Sequence, residues 1–408
     1  MTEEDLTPEM QTRLNQMIED YKTRSGFPYI ENISDVLPAI EGYDEFIVVD
    51  RGDCTIINYV VSKPDTFGSG VLTKDDLIRR ECRGITFCSK TGDILARKYH
   101  KFFNVGEREE TLPSNIDLSK PHKVLDKLDG SMITPVLIND KIQWHTKMGA
   151  TDVAQQVEEF VANNPHYERI ARSWYNYGVT LIFEWCSRKQ QIVLDYPEDQ
   201  LVLTGARFMK TGAYILPDNI LIIGEVPIPI VDAFGSADHI NTFVEMTREE
   251  KDTEGYVIRF DNGQMLKVKT EWYVQIHKAK EKILQDRHVV GMILDNTLDD
   301  VKGFLSQEDL DSLNAFEAKI VETMESAARD AVSFVAARKK LDWTKKDFAI
   351  SPSIDHIWPM DKALIFAIWD DNTMYNTRKM VEKMVRNNIN SNGSYAKLQE
   401  HWFNGIKR

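Results

Sequence analysis

Along the first two thirds of the chain the apolar residues come in short bursts with a period near two. Along the last third they recur every three or four residues. The first pattern predicts strands and the second helices. Leu14, Met17, Ile18 and Tyr21 predict a helix within residues 1–25. Strands are predicted over residues 45–49 and 55–61, followed by a loop at 64–70. Further strands are expected at 83–87, 94–99 and 142–149. Val153, Val157, Phe160, Val161, Ile170 and Trp174 give helical spacing across 151–176. The run 180–186 is strongly apolar, and 191–194 and 201–204 continue the strand-rich texture. After a proline-containing connection and a charged helix within 217–253, residues 253–260 and 265–270 read as two strands around the turn Asp261-Asn262-Gly263. From about Val274 the expected elements are helices, over 275–290, 308–340 and 361–385. Leu310, Leu313, Phe316, Ile320, Met324, Ala327 and Ala331 form one long apolar stripe. The expected fold class is α+β: an antiparallel-sheet domain over 1–274, unlike an ATP-grasp, and an all-helical domain over 275–408.

Composition narrows this only slightly. Hydrophobic residues at 42% and charged residues at 28% are ordinary for a soluble globular chain. No run of eighteen apolar residues exists, so no membrane-spanning helix is expected. The acidic start lacks the apolar core of a signal peptide. Cys54, Cys82, Cys88 and Cys186 are scattered, which argues against structural zinc or disulfides and fits a reducing cytoplasm. The net charge of −14 argues at first against a nucleic-acid partner. All of it lies in the first 274 residues, however, and the helical third carries the basic clusters Arg338-Lys339-Lys340, Lys345-Lys346, Arg378-Lys379, Lys383 and Arg386. Such clusters fit a nucleic-acid surface and equally fit cations gathered at helix C-termini.

The chemistry centres on Lys127-Leu128-Asp129-Gly130-Ser131, between two apolar-rich runs. Taken alone, this is also a hairpin turn with a solvated lysine. An amine becomes a nucleophile when burial or a neighbouring cation helps it shed its proton. Asp129 falls on the same side as Lys127 in an extended segment, and Gly130 permits a sharp turn and a close backbone approach. Arg83 precedes a glycine and a strand, as a forked phosphate clamp would. Lys101-Phe102-Phe103 sets a cation beside aromatic rings. Glu184 interrupts the most apolar strand, which is costly unless it is paired or bound. Glu254-Gly255 opens the next hairpin, whose return strand places Lys267 and Lys269 on one face. Carboxylates for metal and ribose, cations for phosphates and one activated amine are what nucleotidyl transfer to lysine requires.

In these motifs and their order the sequence resembles the covalent nucleotidyltransferases, the ATP-dependent ligases and capping enzymes. It is most similar to the bacteriophage RNA ligases of the tRNA-repair class, the RNA ligase 1 type. The resemblance spans roughly residues 45–305 and rests on Glu81-Cys82-Arg83-Gly84-Ile85, Lys101-Phe102-Phe103-Asn104, Lys127-Leu128-Asp129-Gly130-Ser131, Glu254-Gly255-Tyr256-Val257 and Lys267-Val268-Lys269. It implies that Lys127 becomes an AMP-lysine phosphoramidate. It also implies that Glu184 binds ribose or positions metal water, that Glu254 binds Mg²⁺ (with Mn²⁺ able to substitute), and that Asp299 is a second metal carboxylate. Lys267 and Lys269 would hold the α-phosphate and assist pyrophosphate departure, with Lys269 lowering the pKa of Lys127. Tyr59, Arg83, Lys101, Phe103, Asp129, Gly130, Lys147 and Gly255 would contact ATP, with Phe103 packing on the adenine. The implied reaction joins RNA 5′-phosphate and 3′-hydroxyl ends, repairing cleaved tRNA anticodon loops. The implied setting is the host cytoplasm, after an end-healing polynucleotide kinase-phosphatase and without a membrane. Leu128 departs from the acid expected beside the nucleophile. A DNA ligase or capping enzyme, and a non-catalytic RNA-binding protein with a vestigial pocket, are the alternatives. No β-rich C-terminal segment that would form an OB-fold is expected.

Overall fold

The computed structural model describes residues 12, 15, 16, 19, 20, 26–189, 192–215, 228–303, 305 and 307–407. Leu14, Met17, Ile18 and Tyr21 of the expected first helix lie outside these residues, as does 217–227. The chain divides into two compact units, Met1–Val274 and Gln275–Arg408.

The first unit is built on three sheets. One is an antiparallel meander of β1 (Phe46–Asp50), β2 (Cys54–Tyr59), β3 (Arg83–Cys88) and β4 (Ile94–Ala96). Between β2 and β3, helix α1 (Lys74–Glu81) is capped by Thr73, which accepts from the Asp76 amide while Asp76 accepts from the Thr73 amide. β5 (Phe103–Asn104) and β6 (His122–Asp126) come next, and both belong to the last sheet.

The central sheet has the order β11-β10-β9-β7-β8, from β7 (Ser131–Ile138), β8 (Lys141–His145), β9 (Val179–Cys186), β10 (Gln200–Phe208) and β11 (Tyr214–Ile215). Asn139 and Asp140, at φ 49° and 60°, close the β7–β8 hairpin as such two-residue turns require. Helices α2 (Asp152–Asn163) and α3 (His166–Asn176) divide the expected 151–176 helix at Asn164-Pro165 and cover one face. Val157, Val161, Tyr167, Ala171 and Trp174 pack there on Val179, Leu181, Phe183 and Trp185. The alternate residues of β9, Ile182 and Glu184, therefore face the other way. Residues 192–194 form no strand. Their backbone is taken up instead by a side chain of the site described below.

The last sheet, β5-β13-β12-β6, is completed by β12 (Gly255–Phe260) and β13 (Met265–Lys269). Gly263, at φ +89°, turns this hairpin. Its register opposes Gly255 to Lys269, Val257 to Lys267 and Arg259 to Met265. The β13–β5 pair is parallel. Helix α4 (Ile240–Glu249) packs Ile240 with Val124, Ile258 and Leu266.

A helix over Glu271–Ile283 carries the chain across the boundary. The second unit is helical throughout its described residues, with a 33-residue helix, Gln307–Lys339, as its longest element. The expected 361–385 helix is two, Pro359–Ile368 and Met374–Asn388. The core gathers Leu313, Phe316, Ile320, Ala331, Ile365 and Val385, which includes much of the expected stripe. Several cations of the basic clusters are neutralised locally: Lys345 by Asp370 at 3.0 Å, Arg378 by Glu325 at 2.7 Å and Arg386 by Asp295 at 2.6 Å.

Candidate active site

β6 ends at Asp126 and β7 begins at Ser131, but the two strands do not pair. β6 lies against β12, and β7 lies against β8 and β9. Lys127–Gly130 is therefore a crossing between two sheets, which excludes the hairpin-turn reading. Gly130 is needed because a Cβ there would meet the Trp185 carbonyl oxygen at 2.4 Å. Its close approach is to β9 backbone. Gly255 is required for a similar reason: at φ +130° its added Cβ would lie 2.0 Å from the Val268 carbonyl oxygen. Its own carbonyl accepts from the Lys127 amide at 3.0 Å.

Asp129 corrects an expectation. It is turned into the protein, 3% exposed, and its carboxylate accepts from the amides of Val193 and Leu194, each at 2.7 Å, and from the Tyr273 hydroxyl at 2.7 Å. Its own amide donates to the Tyr196 hydroxyl at 2.9 Å. Asp129 fixes the crossing and does not line the cavity. Leu128 is explained in the same way: it packs with Leu125, Val202 and Val231.

The cavity beside the crossing measures about 540 Å³. The helix-free face of the central sheet supplies Met132 and Glu184, and the last sheet supplies Val257, Arg259, Met265, Lys267 and Lys269. Arg83 reaches it from the start of β3 and Lys147 from the turn after β8. Lys127 Nζ is 2.6 Å from Glu254 Oε1, and Lys269 Nζ is 2.8 Å from the same oxygen. Glu254 is 3% exposed. The two amines thus share one buried carboxylate.

The remaining cations rest on aromatic rings. Lys267 lies 4.5 Å and Arg83 5.9 Å from the Phe102 centroid. Lys101 and Lys147 lie 5.2 and 5.6 Å from that of Tyr59. Among the described residues, none of these four forms an ion pair with a carboxylate. Burial, and then the surrounding cations Arg83, Lys127, Lys101 and Lys269, hold the Lys267 amine well below the usual lysine range. Burial pushes the Glu184 carboxyl up to about 7, against the pull of Lys127. Burial alone would raise the Tyr59 hydroxyl, but Lys101, Arg83 and Lys147 bring it below the usual phenol value.

Tyr59, Lys101 and Phe103 are not among the residues that line the cavity. Phe103 is enclosed with Phe67 in the core of the first sheet, so Phe102 takes the lining position expected of it. Asp299 lies in the second unit, where it opens a short helix and pairs with Lys302 at 3.1 Å. Sequence reading missed Tyr99, Phe102, Met132, Thr204, Val257, Arg259 and Met265 as lining residues. The two-residue period that flagged Lys267 and Lys269 extends to Met265 and, through the hairpin register, to Val257 and Arg259.

A lysine-bearing crossing thus joins two antiparallel-rich sheets beside a cavity lined by several cations. The family model described as RNA ligase matches residues 81–273. A putative RNA ligase of Thermovibrio ammonificans is 31% identical over 275 residues, covering 65% of this chain and 69% of that protein. The chain belongs to the RNA ligase family. RNA ligase 1 of bacteriophage TS2126 is 26% identical over 254 residues, 57% of this chain and 60% of the phage protein. An archaeal ATP-dependent RNA ligase structure superposes with a TM-score of 0.40 at 12% identity, covering 76% of this chain and 82% of that one.

Proposed function

We propose that this RNA ligase works through a covalent lysine–AMP at Lys127. The observation that carries the reading is the placement of the Lys127 amine at the cavity wall, on a buried carboxylate, among cations whose other partners are aromatic rings. Cations without carboxylates are prepared for an anionic ligand, and ATP is the ligand that also fills an apolar floor. Met132, Val257 and Met265 supply that floor for the adenine. Lys127 Nζ attacks the α-phosphorus. An N–P bond forms, the P–O bond to pyrophosphate breaks, and pyrophosphate leaves with the electron pair. Glu254 Oε1, at 2.6 Å from the amine, is placed to take its proton. Lys267 and Lys269 stabilise charge on the phosphoryl oxygens.

Mg²⁺ is suited to one or two carboxylates completed by phosphate oxygens and water, rather than an all-protein cage. Among the described residues no cluster of three or more acids, histidines or cysteines could hold a metal ion. Glu254, with Glu184 nearby, fits the sparser demand. When bound, the ion would neutralise phosphate charge. AMP then passes to a 5′-phosphate RNA end, and a 3′-hydroxyl displaces it. A broken tRNA anticodon loop is the substrate we favour, recognised by the helical unit, after a kinase-phosphatase has prepared its ends. The cytoplasm is the corresponding setting, and among the described residues no helix is long and apolar enough to cross a membrane.

Incubation with Mg²⁺ and α-labelled ATP, followed by denaturation, tests the reading. The expected result is a labelled adduct, stable to base, labile to acid and absent from Lys127→Ala. A folded, AMP-free protein that acquires no label would overturn it.

A further inference from the structure

Lys98 is a lysine in a place where a lysine is costly. It follows β4, is 2% exposed, and forms no ion pair with a described carboxylate. Its Nζ donates to the Gly84 carbonyl at 2.6 Å and to Thr86 Oγ1 at 3.1 Å. The Thr86 hydroxyl donates to the same carbonyl at 3.1 Å. Two side chains thus converge on one backbone oxygen. Burial brings the Lys98 amine down to about 7, and even the neutral amine keeps two N–H groups, enough for both acceptors.

The carbonyl they hold is not an ordinary one. The β2–β3 register slips between Ile57 and Asn58, pairing Ile57 with Ile85 and Asn58 with Arg83, so Gly84 is the extra residue. It sits at φ +83°, and an added Cβ would lie 2.6 Å from Lys147 Cα and from the Lys147 carbonyl oxygen. A bulge re-aims the side chain beside it. The side chain beside this one is Arg83, which lines the cavity and, among the described residues, has no carboxylate ion pair there: it lies 3.8 Å from the Met132 sulfur and 5.9 Å from the Phe102 ring, with a longer-range attraction to Glu184. The direction of Arg83 is therefore set from its backbone.

We propose that Lys98 is a positioning residue for the nucleotide phosphates, acting through the Gly84 carbonyl to aim Arg83 into the cavity. This rests on the reading that the cavity binds ATP, which the labelled-adduct experiment tests separately on the unaltered protein. A methionine has nearly the shape of lysine and none of its donors, so Lys98→Met isolates the hydrogen bonds.

The test is a double-mutant cycle on binding of an ATP analogue with a methylene α–β bridge, measured by calorimetry with thermal unfolding alongside. Lys98→Met is expected to unfold no earlier than the parent, since a buried amine is removed, yet to weaken analogue binding about tenfold. In an Arg83→Ala background the same change should weaken it by less than about twofold, because the group it aims is gone. Thr86→Val, which removes one of the two donors, should fall between, at about threefold. Parent-like binding by a folded Lys98→Met, or the full tenfold loss repeated on Arg83→Ala, overturns the proposal. If Lys98→Met does not fold, parent-like binding by Thr86→Val overturns it instead.

Discussion

Asp129 does its work with its back to the cavity. Its carboxylate holds the Val193 and Leu194 amides and the Tyr273 hydroxyl, all inside the protein. Asp129→Ala would leave three buried donors without that acceptor. A loss of about 3 kcal/mol in denaturant unfolding is expected, together with a slower adenylylation step because Lys127 is released from its setting. Glu184 makes a pH-dependent prediction. Its folded value of about 7 lies above the ordinary 4.5, so the folded state keeps a proton that the unfolded chain gives up. Its contribution is full below pH 4.5 and is lost as pH rises towards 7. Urea unfolding from pH 4 to 8 should show Glu184→Gln gaining on the parent by at most about 1.4 kcal/mol per pH unit across that window, and by no further increment above it. A constant difference would exclude this role. Lys267 has the opposite sign. Its amine is held low in the free protein, and a phosphate would restore its charge. Analogue binding should therefore be accompanied by proton uptake at a pH between the lowered and the restored titration of the amine, read from calorimetry in two buffers across a pH series, and Lys267→Met should abolish the uptake.

The hairpin of β12 and β13 shows how much of the site an alternating pattern can convey. Lys267, Lys269, Glu254 and Gly255 were all legible, because a two-residue period and a glycine before a strand have direct structural meanings. Glu184 was legible as a charge in an apolar run, since only one face of β9 is covered by helices. What the pattern could not convey was pairing between distant segments. That β6 and β7 belong to different sheets, that residues 192–194 give their amides to Asp129, and that Phe102 rather than Phe103 lines the cavity all depend on which strands meet. A floor built by register also makes a prediction. Val257 opposes Lys267 and lines the cavity. Val257→Phe should raise the ATP requirement for adduct formation roughly tenfold while leaving the unfolding temperature within a few degrees, because the added ring would occupy the space proposed for adenine.

Each unit has its own core. The clusters around β9 and around β3 lie wholly before Val274, and the large helical cluster runs from Ala279 to Phe403. A chain ending near residue 278 is expected to form the ATP-derived adduct but to seal RNA at least tenfold more slowly, with adduct yield and ligation measured on the same samples. Equal ligation would remove the helical unit from substrate recognition. The net charge of −14 resides in the unit that carries the cationic cavity. RNA binding that relies on the cavity cations against this net negative charge should weaken with salt.

The four residues from Lys127 to Gly130 also bear on how the protein tolerates changes in chain length. A turn within one sheet absorbs an inserted residue as a bulge or a longer loop. Here the segment is tied to one sheet at Asp126 and to another at Ser131, with Asp129 fastened midway and Gly130 wedged against the Trp185 carbonyl. An extra residue has no slack to enter. It would either reverse the side to which Lys127 points or pull Asp129 from its three donors. Length, more than identity, is the property this stretch has least freedom to vary.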